Sequence, residues 1–163
     1  MNQSDIETAI LQKLYIAYFR GDGAYNLNTI REELGFDDTA LWKAADYMTH
    51  RGLINAWTVG GNYRIDALGV IHAEENGIVP KEIRKENQHI RTVALDALAK
   101  AYEQSGSLAD ADIETLSQSA VTEPNAMANN LRVLHDLGYV EPTTLDSVDS
   151  NFHSRGIAGA TMT

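Results

Sequence analysis

The chain contains no cysteine. That excludes disulfides, thiolate catalysis and Cys-based metal sensing, and it fits a reducing cytoplasm, the expected location. No apolar run approaches the roughly 20 residues that a membrane-spanning helix needs, so no membrane partner is expected. "MNQSDIETAI" has neither a basic start nor an apolar h-region, and no secretory signal is expected from it. Positive charge is scarce: 13 Lys and Arg stand against 23 Asp and Glu, for a formal net charge of −10. The deficit is even. Residues 1–80 hold 6 Lys/Arg against 11 Asp/Glu, and residues 81–163 hold 7 against 12, so no acidic tail conceals a basic domain. Generic phosphate binding depends on Lys and Arg releasing counterions. An evenly acidic chain is therefore a poor non-specific binder of nucleic acid, and its charge serves solubility first.

Catalytic and metal-binding signatures are missing as well. His50, His72, His89, His135 and His153 include no pair at the i,i+3 or i,i+4 spacing of helical metal ligands. Only a site assembled in space, from His72 with Glu74 or Glu75, would hold a metal, and none is expected. "GDG" and "VGGN" lack the Lys-Ser/Thr of a phosphate loop, and there is no G-x-S-x-G. No enzyme activity and no cofactor are expected. Trp42, Trp57, Tyr15, Tyr18 and Phe19 read as core or as an oligomer contact, with a ligand pocket as the other reading.

What the chain does contain is a repeat. Displaced by 84 residues, "IETAILQKLYIAY" (6–18) falls on "IRTVALDALAKAY" (90–102). Ile6, Ile10, Leu14 and Tyr18, and Ile90, Ala94, Leu98 and Tyr102, each form one helical stripe. Both copies break at Gly, in "GDG" (21–23) and "SGS" (105–107). The offset then becomes 86. Leu27, Ile30 and Leu34 match Ile113, Leu116 and Ala120, with Asn28 and Asp110 expected as helix caps. A third helix follows at 37–52 with inner residues Leu41, Ala45 and Met48, and at 122–138 with Met127, Leu131 and Leu134. Pro124 suits a first helical turn, and Gly52 and Gly138 suit the left-handed stop after a helix. Gly60-Gly61 between β-rich flanks signals a two-residue hairpin in "NAWTVGGNYRID" (55–66). The second copy ends in "EPTTLDSVDSNFHSRGIAGATMT", where the hairpin signal is poor and Leu145, Val148 and Phe152 are the bulky apolar residues. The predicted fold is mainly α with small β-hairpin wings (α+β), in two units over 1–79 and 80–163. The second unit's first helix is extended by a connector over 80–90; a helix over 81–104 would span about 36 Å.

Three helices, a terminal "RGLI" and a Gly-tipped hairpin resemble the winged helix-turn-helix superfamily. "TIREELGFDDTALWKAADYMTHRGLI" (29–54) and "YRIDALGVI" (63–71) carry the likeness, the latter being similar to the wing strand and closing turn of MarR- and PadR-like regulators. The resemblance covers 5–76 fully and the second copy to about 141. It implies that each third helix enters the major groove of double-stranded DNA while the wing touches backbone or minor groove. In the first copy the outward face would then be Thr39, Trp42, Lys43, Asp46 and His50, with Asn62, Tyr63 and Arg64 on the wing. In the second it would include Asn125, Asn129 and Arg132; Asn pairs bidentately with adenine and Arg with guanine. The same residues also suit a solvated helix face. The second wing carries Asp146 and Asp149, which departs from a phosphate-binding pattern. A basic stretch, "PKEIRKENQHIR" (80–91), supplies Lys81, Arg84, Lys85 and Arg91, either for DNA or an acidic partner or as a solvated connecting helix. Two functions stay open: a sequence-specific DNA-binding transcriptional regulator, which as a homodimer would present two half-sites about one helical turn apart, and an acidic adaptor binding a protein partner, with Trp42 and Trp57 as first anchors.

Overall fold

The computed structural model describes residues 2–105, 110–142 and 157–160. The chain divides into two compact units, Met1–Lys81 and Glu82–Thr163. The first contains α1 (Gln3–Arg20), β1 (Tyr25–Asn26), α2 (Leu27–Leu34), α3 (Asp38–His50), β2 (Ile54–Thr58), β3 (Asn62–Ile65) and α4 (Ala67–Glu75). The second contains most of α5 (Lys81–Ser105), then β4 (Asp110–Ala111), α6 (Ile113–Ala120), α7 (Pro124–Asp136), β5 (Val140–Pro142) and β6 (Ile157–Ala160). Each has one three-stranded antiparallel sheet, in the orders β1-β3-β2 and β4-β6-β5. The expected α+β class is observed. The "SGS" break and Leu145, Asp146, Val148, Asp149, Phe152 and His153 fall at or beyond the edge of the described residues, whereas the strands of the second hairpin, β5 and β6, are described and pair with each other.

The helices form where apolar periodicity and caps agree. Ile6, Ile10, Leu14 and Tyr18 are buried along α1, and Leu41, Ala45 and Met48 are fully buried on α3, joined by Ala44. In the second unit Ile90, Ala94 and Leu98 pack with Ile113, Leu116, Ala120, Met127, Leu131 and Leu134 in one core. Tyr102 is half exposed, so the stripe of α5 ends at Leu98. Leu34, the last residue of α2, is likewise exposed, and Phe36 just past the turn is buried instead. The caps are Asn26 and Asp112 rather than Asn28 and Asp110. Asn26 accepts from the amide of Asn28, and Asp112 from that of Thr115 at 2.7 Å, a bond that holds the Asp112 carboxyl below its usual range. The α2 helix starts straight after its two-residue strand and α6 one residue after its own, and that strand sets which polar residue reaches the open amides.

Gly52 and Gly138 take φ of 70° and 82°, the left-handed stops expected of them, and Pro124 opens α7. The first hairpin forms as expected, but its tip is longer. Thr58 pairs with Asn62, leaving Val59-Gly60-Gly61 as a three-residue loop, after an irregularity between Ala56 and Thr58. No helix among the described residues is long and apolar enough to cross a membrane.

Candidate functional site

The outward face of α3 begins at a cluster of carboxylates. Asp37 caps the helix by accepting from the amide of Ala40 at 3.0 Å. Asp38 accepts from Arg31 Nη1 at 2.7 Å and from Trp42 Nε1 at 3.1 Å. Trp42 is therefore pinned and half-buried, whereas Thr39, Lys43, Asp46 and His50 are exposed. Lys43 is the cation this face presents, with Asp46 one turn along.

The wing of the first unit is tied down rather than reaching out. The carbonyl of Gly61 accepts from the amide of Leu27 at 2.9 Å, and Asn26 Nδ2 donates to the carbonyl of Gly60 and to Asn62 Oδ1. Asn62 in turn donates to Thr58 Oγ1 at 2.7 Å. A Cβ on Gly61, whose φ is 88°, would stand 3.2 Å from the ring of Trp42, so the tip closes onto α3. The ring of Tyr63 lies tilted against that of Trp42, centroids 6.3 Å apart. Arg64 lies between two rings, its guanidinium carbon 5.0 Å from the centroid of Tyr18 and 4.7 Å from that of Trp57. Such cation–π stacking engages the guanidinium that a phosphate would need. What the wing leaves open is apolar: Trp57 is 50% exposed and Val59 102%.

The basic stretch of α5 is not one surface. Lys81 and Lys85 are exposed and Arg84 half-buried, while Arg91 turns inward at 7% exposure. Arg91 Nη1 donates to Asn130 Oδ1 at 2.9 Å, and Asn130 Nδ2 donates to Asn87 Oδ1 at 2.9 Å and to the carbonyl of Ala126. Asn87 and Asn130 are themselves buried. The Arg91 cation, which from sequence stood either on a binding surface or on a solvated connecting helix, instead joins α5 to α7. Lys13 is spent in a similar way. It meets Glu33 at 2.5 Å while Tyr25 donates to the other Glu33 oxygen at 2.9 Å, and these bonds raise Lys13 and Tyr25 and lower Glu33 from their ordinary pKa values.

On α7, Asn125 is exposed, and Asn129 and Arg132 are half-buried on the same face. At the start of that helix lies a feature that the motif reading missed. An open groove of about 640 Å³ is bounded by Glu86, Glu114, Gln118, Val121, Glu123 and Pro124. Three of these residues are glutamates, contributed by α5, α6 and the position preceding α7. Among the described residues no group of His, Cys, Asp and Glu is arranged to hold a metal ion.

No family model matches the chain, and no curated protein matches it. Among solved structures, the chain is similar to the mRNA-binding domain of elongation factor SelB from E. coli, solved in complex with SECIS RNA. The identity is 15%, over 95% of this chain and 98% of that one, with a TM-score of 0.32. A score of that size does not establish a common fold.

Proposed function

We propose that the chain is an adaptor: two winged-helix units in tandem, used to bind a protein partner. The observation that carries this reading is the placement of Arg64. The wing cation that a duplex backbone would meet is held between Tyr18 and Trp57, and the wing exposes Trp57 and Val59 instead. Carboxylates at the start of the third helix in each unit, Asp37 before α3, Asp38 at its first position and Glu123 before α7, add repulsion where phosphates would approach. Tyr47, Trp57, Val59 and Leu68 on the first unit are exposed, and a few aromatic side chains of this kind dominate protein interfaces. The tandem assignment rests on the shared order of helices and strands and on the 84- to 86-residue displacement of the sequence.

Selection of a random displayed peptide library on the intact chain tests the reading. Enriched peptides are expected, and Trp57→Ala is expected to weaken those seated on the first unit by about 2 kcal/mol, the size of an interface hot spot. A library that enriches nothing on folded protein would sink it.

A second reading, the sequence-specific DNA-binding regulator, is favoured by one feature. Asn125, Asn129 and Arg132 share a face of α7 that meets a carboxylate only at the helix's last residue, Asp136. In that case Arg132→Ala would relax specificity at one base position at a cost of about 1–3 kcal/mol, and affinity would fall steeply with salt. Enrichment of a motif from random duplex DNA, lost on that substitution, would replace the adaptor reading.

A further inference from the structure

The two units differ at the turn between their second and third helices. In the first, the turn passes through Gly35 at φ 70°. In the second, the residue 86 positions on is Val121, at φ 53° and ψ 52°. It is the one non-glycine residue with positive φ among the described residues. An L-residue is disfavoured in the left-handed region, a β-branched one most of all, whereas Gly occupies it freely. Nor does Val121 gain by burial, being 92% exposed. The fold is therefore better served by Gly, and the second unit presents an apolar side chain to solvent in its place.

That side chain stands on the groove that carries Glu86, Glu114 and Glu123. The corresponding positions of the first unit, by the same displacements, are Asn2, Asn28 and Asp37. Across the rest of the lining Arg31, Glu32 and Asp38 answer Ser117, Gln118 and Pro124, so three carboxylates with one cation become three carboxylates with none, and Gly becomes Val. Both changes fall on one groove, and neither follows from the repeated core.

We infer that this groove docks a basic amphipathic segment of a protein partner. An apolar side chain of the partner packs against Val121 and Pro124, and its Lys or Arg residues meet Glu86, Glu114 and Glu123. Charge complementarity selects this occupant, since the same three carboxylates repel a nucleic-acid backbone. The inference rests on the adaptor reading and specifies the partner chemistry for one of its surfaces.

The test uses a helical Leu/Lys peptide and its charge-reversed Leu/Glu twin, titrated into the full chain and followed by amide chemical shifts. The Leu/Lys peptide is expected to shift residues 114–124 and the Leu/Glu peptide to shift none. Val121→Gly is expected to weaken binding about tenfold, equivalent to 1.4 kcal/mol, while raising the thermal midpoint of the second unit, because a strained residue is relieved. Loss of affinity would then not be loss of fold. Glu114→Gln with Glu123→Gln should weaken binding at least as much. Equal binding by the Val121→Gly chain would mean diffuse charge attraction and would overturn the proposal, as would no binding at millimolar peptide. Shifts confined to the surface around Trp57 would overturn it and leave the adaptor reading standing. Duplex DNA shifting residues 114–124 would overturn both.

Discussion

Gly69→Ala is expected to lower the thermal midpoint of the first unit by about 12 °C or more. A Cβ at position 69 would lie 2.0 Å from the carbonyl oxygen of Leu53, 2.9 Å from its carbonyl carbon and 2.8 Å from Ile65 Cγ1. The Ile65 side chain has some freedom to turn aside. The Leu53 carbonyl has not, because it accepts from the amide of Asp66 at 2.9 Å and leads into β2. Here α4 lies directly on the backbone that enters the wing. Overpacking a core usually costs about 1–3 kcal/mol, and a rigid obstacle places this substitution at or above the upper end. About 3 kcal/mol corresponds to the quoted shift, at 4–8 °C per kcal/mol for a domain of this size. Both tryptophans, Trp42 and Trp57, belong to the first unit, so their emission reports its unfolding separately from the second. Leu68→Ala is the control, since Leu68 is 57% exposed and adjacent. A Gly69→Ala midpoint within 2 °C of the parent chain would mean that the close approach of α4 to Leu53 is not as described.

Much of this framework is legible in the sequence because it depends on local rules. The apolar stripes of α1, α3, α6 and α7, the first-turn Pro124 and the stops at Gly52 and Gly138 each follow from a period or a backbone preference. The caps do not, because Asn26 competes with Asn28, and Asp110 with Asp112, at a spacing of two. The pairing of β1 with β3 and β4 with β6 decides between them, and pairing is a long-range matter. The cations mislead for the same reason. Arg64 and Arg91 read as solvated side chains, but their partners, Tyr18 and Asn130, are distant in sequence. A long side chain with an apolar stem can lie along or under a neighbouring element, and nothing in a local window shows that it does. Val121 is different. It lies 86 residues after Gly35, and laying the second half of the sequence on the first by that displacement, rather than any motif, is the signal that finds it.

Asn130→Leu is expected to destabilise the second unit by about 3 kcal/mol although it adds apolar surface. Asn130 is fully buried and joins three groups: it accepts from Arg91 and donates to Asn87 and to the carbonyl of Ala126. Leucine keeps the branched outline with bulkier methyl ends and supplies none of these bonds. A hydrogen bond to a charged group contributes about 1.5–3 kcal/mol, and removing a partner from a buried ion is among the costlier changes a core can suffer. The first unit, laid on the second by the displacements of 84 and 86 residues, has other residues at these positions. Its corresponding residues are Gln3, Glu7 and Ala44, and Ala44 is fully buried with no polar group to satisfy. The two α7 faces of interest, the row Asn125, Asn129 and Arg132 and the groove beside Pro124, are held in their rotational setting on α5 by this chain of bonds. If so, the penalty should be shared rather than additive. Arg91→Met combined with Asn130→Leu removes both the guanidinium and its acceptor, and the double substitution is expected to be more stable than the sum of the singles by at least about 1 kcal/mol. Far-UV ellipticity would follow unfolding, with Trp emission as a separate record of the first unit. Additive effects would mean that Arg91 and Asn130 do not act as a pair, and that the setting of α7 comes from the apolar core of Ile90, Leu98, Met127 and Leu131 alone.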